Sequence, residues 1–165
     1  MKTPHEDQTI STRAIALLAG EQHARIDVHG AGQDGARLSV VWGTLLVGFS
    51  ALDQVDALRQ AFADSQGAAR QIPERLDPAI LGAEIGDEAY LPAISVGFRE
   101  IPGYDVSIQT LAPGRLDSWA HRRACLHIRV GVVLFRVFDQ AAHASTYGML
   151  TRATAIAKAT MPKHS

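Results

Sequence analysis

The sequence is poor in the features that would name a function quickly. It holds one cysteine, Cys125, in 165 residues. No internal disulfide can form, stability must come from packing, and a reducing compartment is the natural setting. Its longest apolar window, "LSVVWGTLLVGFSAL" from Leu38 to Leu52, falls short of the about 20 residues needed to span a bilayer and contains Ser, Thr and Gly. It reads as buried strand. The N-terminal stretch carries acidic residues before any apolar run and lacks the pattern of a secretory signal, so a cytoplasmic protein without membrane contact is expected. Lysine is scarce, three residues against thirteen arginines. With the abundance of alanine, this fits a GC-rich bacterial coding sequence.

What is present is enough for one packed domain. A chain of this length can bury about 70% of the surface its unfolded form exposes. Residues 9–160 are read as one α+β domain, with polar, proline-containing ends at 1–8 and 161–165 expected to be flexible.

The net charge of −1 hides an asymmetry. Residues 1–109 contain eight Lys or Arg against fifteen Asp or Glu, and residues 110–165 contain eight against two, giving −7 and +6. The basic part also carries His121, His127, His143 and His164.

Periodicity then places the elements. "TISTRAIALLAG" has apolar residues at helical spacing and predicts a short helix ending at Gly20. "HARIDVH" alternates as a strand, "GAGQDG" is a turn, and "ARLSVVWGTLLVGFS" is one long strand or two short ones. A helix follows from Ser50, with Leu52, Val55, Leu58 and Phe62 on one face and Gly67 as its stop. Residues 68–92 form a linking segment with a helical turn around "DPAILGA". "AISVGFRE" and "YDVSIQTL" flank "IPGY" as a hairpin whose turn is of type II, with Pro102 and Gly103 at its centre. "APGRLDSWAHRR" is a surface loop, "ACLHIRVGVVLFRVF" is the last strand, and Asp139 caps a final helix.

Superposing Gly43 on Gly131 reveals a repeat. Leu38, Val40, Leu45, Val47 and Phe49 fall on Leu126, Ile128, Val133, Phe135 and Val137. Burying the apolar residues on both sides of each glycine requires the parity to slip by one. That predicts a bulge, or failing that a tight turn, at both glycines. The expected fold is therefore α+β: two β-β-α repeats, 23–66 and 93–160, sharing an antiparallel sheet with helices packed on one face. An exposed face or edge of such a sheet makes the protein a candidate homo-oligomer, most simply a dimer.

Several chemistries can be weighed. "GAGQDG" matches the dinucleotide-binding glycine pattern, but that pattern needs a helix to follow, and "ARLSVVWG" is strand-like. His121, Cys125 and His127 are zinc-competent ligand types, echoed by His23, Asp27 and His29. On a strand, residues two apart share a face about 6.6 Å apart, whereas four apart is about 13 Å. Only Cys125 with His127, or Asp27 with His29, could chelate locally, so these stay weak metal candidates and no cofactor is expected. A catalytic Cys125 with His127 or His121 lacks an oxyanion-hole or nucleophile-elbow motif. Glu84, Asp87 and Glu88 read as a solvated loop.

The basic stretch carries the leading expectation. Arg115, Arg122 and Arg123 surround Trp119 on a loop, and His127, Arg129 and Arg136 follow on outward strand positions. Arginines suit phosphates or carboxylates, and an exposed aromatic suits base stacking. No nucleic-acid-binding signature accompanies them, and the bland alternative is that they pair with the acidic part of the same chain. The expected function is a non-enzymatic accessory or regulatory module that self-associates and contacts nucleic acid or an acidic protein through Arg115, Trp119, Arg122, Arg123, His127, Arg129 and Arg136. The alternative is a small enzyme or a metal- or ligand-binding domain using His and Cys or Asp in a pocket between sheet and helices.

Overall fold

The computed structural model describes residues 14–76, 94–111 and 123–162, with backbone alone for 109–111 and 123. Its strands are β1 (Ala14–Leu18), β2 (Arg25–His29), β3 (Arg37–Trp42), β4 (Leu45–Phe49), β5 (Ile94–Gly97), β6 (Tyr104–Leu111), β7 (Arg123–Val130) and β8 (Val133–Val137). Its helices are α1 (Leu52–Asp64), α2 (Gln66–Ala69) and α3 (Gln140–Thr160). The expected linker turn around 77–83 and the loop 112–122 lie outside the described residues.

The α+β class and the duplicated layout hold, but the strands form two four-stranded sheets rather than one, ordered β1-β8-β7-β6 and β2-β3-β4-β5. Each sheet is mixed. β7 pairs antiparallel with both β6 and β8, while β1 runs parallel to β8. In the other sheet β3 pairs antiparallel with β2 and β4, while β5 runs parallel to β4. Each repeat is thus four strands and a helix, and each gives its first strand to the other repeat's sheet.

The registers make the duplication quantitative. Leu45 faces Ile94 across the β4–β5 pair as Val133 faces Ala14 across β8–β1. The entering hydrogen bonds repeat too: Ile94 N donates to Thr44 O at 2.9 Å and Ala14 N to Val132 O at 3.1 Å.

Two sequence expectations are corrected by this exchange. Residues 14–18 are a strand and not part of a helix. Five apolar-rich residues fit either state, and the parallel partner that decides lies far along the chain. "AISVGFRE" and "YDVSIQTL" do not form a hairpin, because β5 and β6 belong to different sheets. Nor is the "IPGY" turn of type II, since Gly103 does not adopt the positive φ that type requires.

At Gly43 and Gly131 the tight turn, not the bulge, is correct. Trp42 pairs with Leu45 and Val130 with Val133, leaving two-residue connections. The glycines have φ of 58° and 56°, and no other residue type in the described chain has positive φ. That is the type II′ hairpin, whose first position favours glycine. The parity change is real: Leu38, Val40, Trp42, Leu45, Val47 and Phe49 are all buried, as are Leu126, Ile128, Val130, Val133, Phe135 and Val137. The last predicted strand is accordingly two strands.

Both inner faces and the helices share one apolar cluster. Trp42 of one sheet stacks on Phe135 of the other, centroids 5.6 Å apart, and Phe62 of α1 meets Phe135 edge-on. Helix α1 packs on α3 and on β6 and β7 of the other repeat's sheet. Gly67, expected to stop α1, lies instead within the short α2. Met161, just beyond α3, is buried in the same cluster.

Candidate functional site

Strand alternation sorts the β1-β8-β7-β6 sheet into an inner apolar face and an outer face of different chemistry. The outer face is laid out in rows set by register. One row runs Leu17, Arg136, His127, Ser107 and the next Ile15, Leu134, Arg129, Asp105, each ordered β1 to β6. The three aliphatic residues are not part of the core cluster, and Ile15 is 54% exposed. The face therefore grades from aliphatic on β1 to cationic on β8 and β7.

The equivalent face of the other sheet serves as an internal control. There the corresponding rows are Gly97, Gly48, Ser39, Asp27 and Ser95, Leu46, Val41, Arg25. Its charged residues, Arg25 and Asp27, pair with each other at 2.8 Å. So Gly48 stands where the later repeat has Arg136, Ser39 where it has His127, and Val41 where it has Arg129. Two sheets of the same topology fold with or without these cations, which shows that the architecture does not require them.

Neither Arg129 nor Arg136 forms an ion pair with a carboxylate among the described residues. Among the described residues the ion pairs are Arg25–Asp27 and Arg59–Asp56. Asp105 is register-paired with Arg129 without forming one. Arg136 instead lies over the Phe138 ring, 5.5 Å from its centroid, a contact that suits a weakly hydrated guanidinium. His127 Nε2 and Arg136 Nε are both enclosed and lack a hydrogen-bond partner. Leaving such a group unsatisfied costs about 1–3 kcal/mol. The His127 pKa is lowered by burial first and then by the charges of Arg136 and Arg129. An oxyanion would give Arg136 Nε an acceptor and offset the neighbouring cationic charge at His127.

Of the residues singled out from sequence, His127, Arg129 and Arg136 are brought together on this face. Arg115, Trp119, His121 and Arg122 lie outside the described residues, and Arg123 is placed only by its backbone at the start of β7. Cys125 shares the strand parity of His127 but is fully buried, which leaves its thiol inaccessible to a substrate in this conformation. No group of three potential metal ligands exists among the described residues, and Asp27 is engaged by Arg25. The "GAGQDG" turn leads into β3, not a helix, and its Gly32 amide donates to Thr160 O at 2.8 Å. No described helix is long and apolar enough to cross a membrane.

Sequence reasoning missed two features. Ile15 and Leu17 join the face only because β1 is a strand. The second is a buried polar pair, His143 Nε2 and Ser65 Oγ, 2.8 Å apart between α3 and the end of α1. Ser65 Oγ donates to Phe62 O at 3.0 Å, so the hydroxyl oxygen is left to accept from the imidazole. Ser65 is 0% exposed and His143 4%, which makes the pair a structural link rather than an accessible nucleophile and base.

Comparison with protein-family models, with curated proteins and with solved structures returns no match.

Proposed function

We propose that the chain is a non-enzymatic accessory or regulatory module that engages an anionic partner, nucleic acid or an acidic protein, through the outer face of the β1-β8-β7-β6 sheet. The observation that carries this reading is the divergence of the two sheets. At equivalent positions one has Ser39, Val41 and Gly48, and the other has His127, Arg129 and Arg136, with neither arginine paired to a described carboxylate. Arg129 is exposed and Arg136 half-buried, so the cations lie beside solvent where a partner's charge can replace water. Self-association belongs to the same proposal. Each sheet ends in strands paired on one side among the described residues, edges that a second copy can extend.

The test is binding of the purified protein to a single-stranded oligonucleotide and to polyglutamate at low salt, compared with the double variant Arg129→Glu, Arg136→Glu. Binding of either polyanion that weakens with salt and disappears in the folded double variant supports the proposal. A folded wild-type protein that binds neither at low salt ends it.

A further inference from the structure

We infer that the outer face of the β1-β8-β7-β6 sheet docks a short acidic protein segment that carries aliphatic side chains beside its carboxylates. The inference rests on the anion-binding reading above and narrows it to one class of partner.

Three observations separate a polypeptide from a nucleic acid. First, both rows put aliphatic residues next to the cations: Leu17 beside Arg136 in one, Ile15 and Leu134 beside Arg129 in the other. A phosphate backbone gains nothing by covering Ile15, whereas a leucine or valine of a partner does. Second, the described face has two arginines and one histidine, with Asp105 at the end of a row. That suits one or two carboxylates better than a track of phosphates, which an acidic residue would repel. Third, none of the described side chains in these rows is aromatic, so the platform on which bases stack is absent from them.

The geometry also fits an extended segment. Adjacent rows lie two residues apart along each strand, about 6.6 Å, the same spacing as alternate side chains of an extended peptide laid along the strands. Carboxylates over β7 and β8 would meet the exposed Arg129 first. They would then supply the acceptor that the enclosed Arg136 Nε lacks, once the guanidinium shifts along the Phe138 ring. Aliphatic groups over β1 would cover Ile15 and Leu17, and reach Leu134 beside Ile15 on β8.

The experiment uses the full chain and three fluorescent probes of equal formal charge: a peptide alternating leucine with glutamate, a peptide alternating glycine with glutamate, and an oligothymidylate. Anisotropy at low salt is expected to show the leucine–glutamate probe binding about tenfold tighter than the other two, since each covered aliphatic side chain contributes on the order of 1 kcal/mol or more. Ile15→Ser is expected to weaken that probe about fivefold and leave the glycine–glutamate probe unchanged. Circular dichroism confirms that the variant is folded.

Equal or tighter binding of the oligothymidylate overturns the inference in favour of a nucleic acid while leaving the anion-binding reading intact. So does equal binding of the two peptides, or an Ile15→Ser variant that binds the leucine–glutamate probe like the wild type. Failure of all three probes overturns both readings. A wild-type dimer that Ile15→Ser converts to a monomer, without probe binding by either, assigns the face to a second copy and also overturns the inference.

Discussion

Asp139 accepts the backbone N–H of Gly20 on both carboxylate oxygens, at 3.2 and 2.9 Å, across a sequence separation of 119 residues. The same carboxylate caps α3 through Ala142 N at 2.8 Å and accepts from Leu76 N at 3.2 Å. One buried side chain thus ties the end of the exchanged strand β1, the segment after α2 and the start of α3. Replacing it by alanine strands three amides and removes a helix cap, so Asp139→Ala should lose about 2–4 kcal/mol in urea unfolding. A loss under 1 kcal/mol would mean that water replaces the carboxylate without penalty.

The equivalent position in the other repeat is Ala51, with nearly the same backbone (φ −146°, ψ 148°, against −145° and 163°) and no side-chain cap. There Gln54 does the tying, accepting from Ser50 N at 2.9 Å and donating to Phe98 O at 3.0 Å. Because Ala51 already holds the extended conformation a cap needs, Ala51→Ser should stabilise the protein by about 0.5–1 kcal/mol. A destabilised variant would show that the hydroxyl disturbs the Gln54 bridge instead of adding to it.

These two junctions show what could be read in advance. Asp139 was legible as a cap because it precedes a helical pattern directly. Alternation likewise revealed the buried residues on both sides of Gly43 and Gly131, and the outward positions of His127, Arg129 and Arg136. What stayed hidden depends on distant pairing. Residues 14–18 have no local feature that favours strand over helix until β8 lies beside them. β5 and β6 look like a hairpin because nothing in "IPGY" says that the flanking strands join different sheets. The aliphatic half of the candidate site was invisible for the same reason, since it sits on β1. The His143–Ser65 link left no trace, as neither residue sits in a recognisable motif.

That link sets a pH dependence. His143 is buried against Phe62, ring centroids 5.5 Å apart, and burial lowers its pKa, partly opposed by a hydrogen bond with the Phe62 backbone. The unfolded chain therefore takes up a proton at higher pH than the folded one. Stability from this group is complete above the ordinary histidine pKa of about 6.5 and is lost as pH falls through the window below it. His127 shifts in the same direction, so the difference between wild type and His143→Gln isolates the buried group. The variant should show a shallower fall in stability between neutral pH and about pH 5. Parallel curves would mean that His143 ionises in the folded state as easily as in the unfolded chain.

The two hairpin glycines should respond unequally to alanine. Both have positive φ, which costs a residue with a side chain about 1–2 kcal/mol. At Gly43 an added methyl meets nothing within 4 Å, whereas at Gly131 it would lie 3.3 Å from both Phe98 Cε1 and Pro102 Cβ. Gly131→Ala should thus be more destabilising than Gly43→Ala by urea unfolding of the two variants side by side. Equal losses would show that Phe98 and Pro102 yield freely.

The exchange of first strands bears on how the whole chain unfolds. β1 leaves its own repeat to pair with β8, and β5 leaves its own to pair with β4, so neither sheet is complete without a segment of the other repeat. The aromatic contact of Trp42 with Phe135 and the packing of α1 on β6 and β7 join the halves a second time. No intermediate with one sheet intact is expected. Tryptophan fluorescence and far-ultraviolet circular dichroism should trace a single, coincident urea transition. Phe135→Ala, which empties a site that is 1% exposed, should cost about 3–5 kcal/mol. In native-state hydrogen exchange it should lower protection of β3 and β4 as much as that of β7 and β8. A variant that loosens only β7 and β8 would show that the halves fold independently, with the exchanged strands merely resting on a neighbouring sheet.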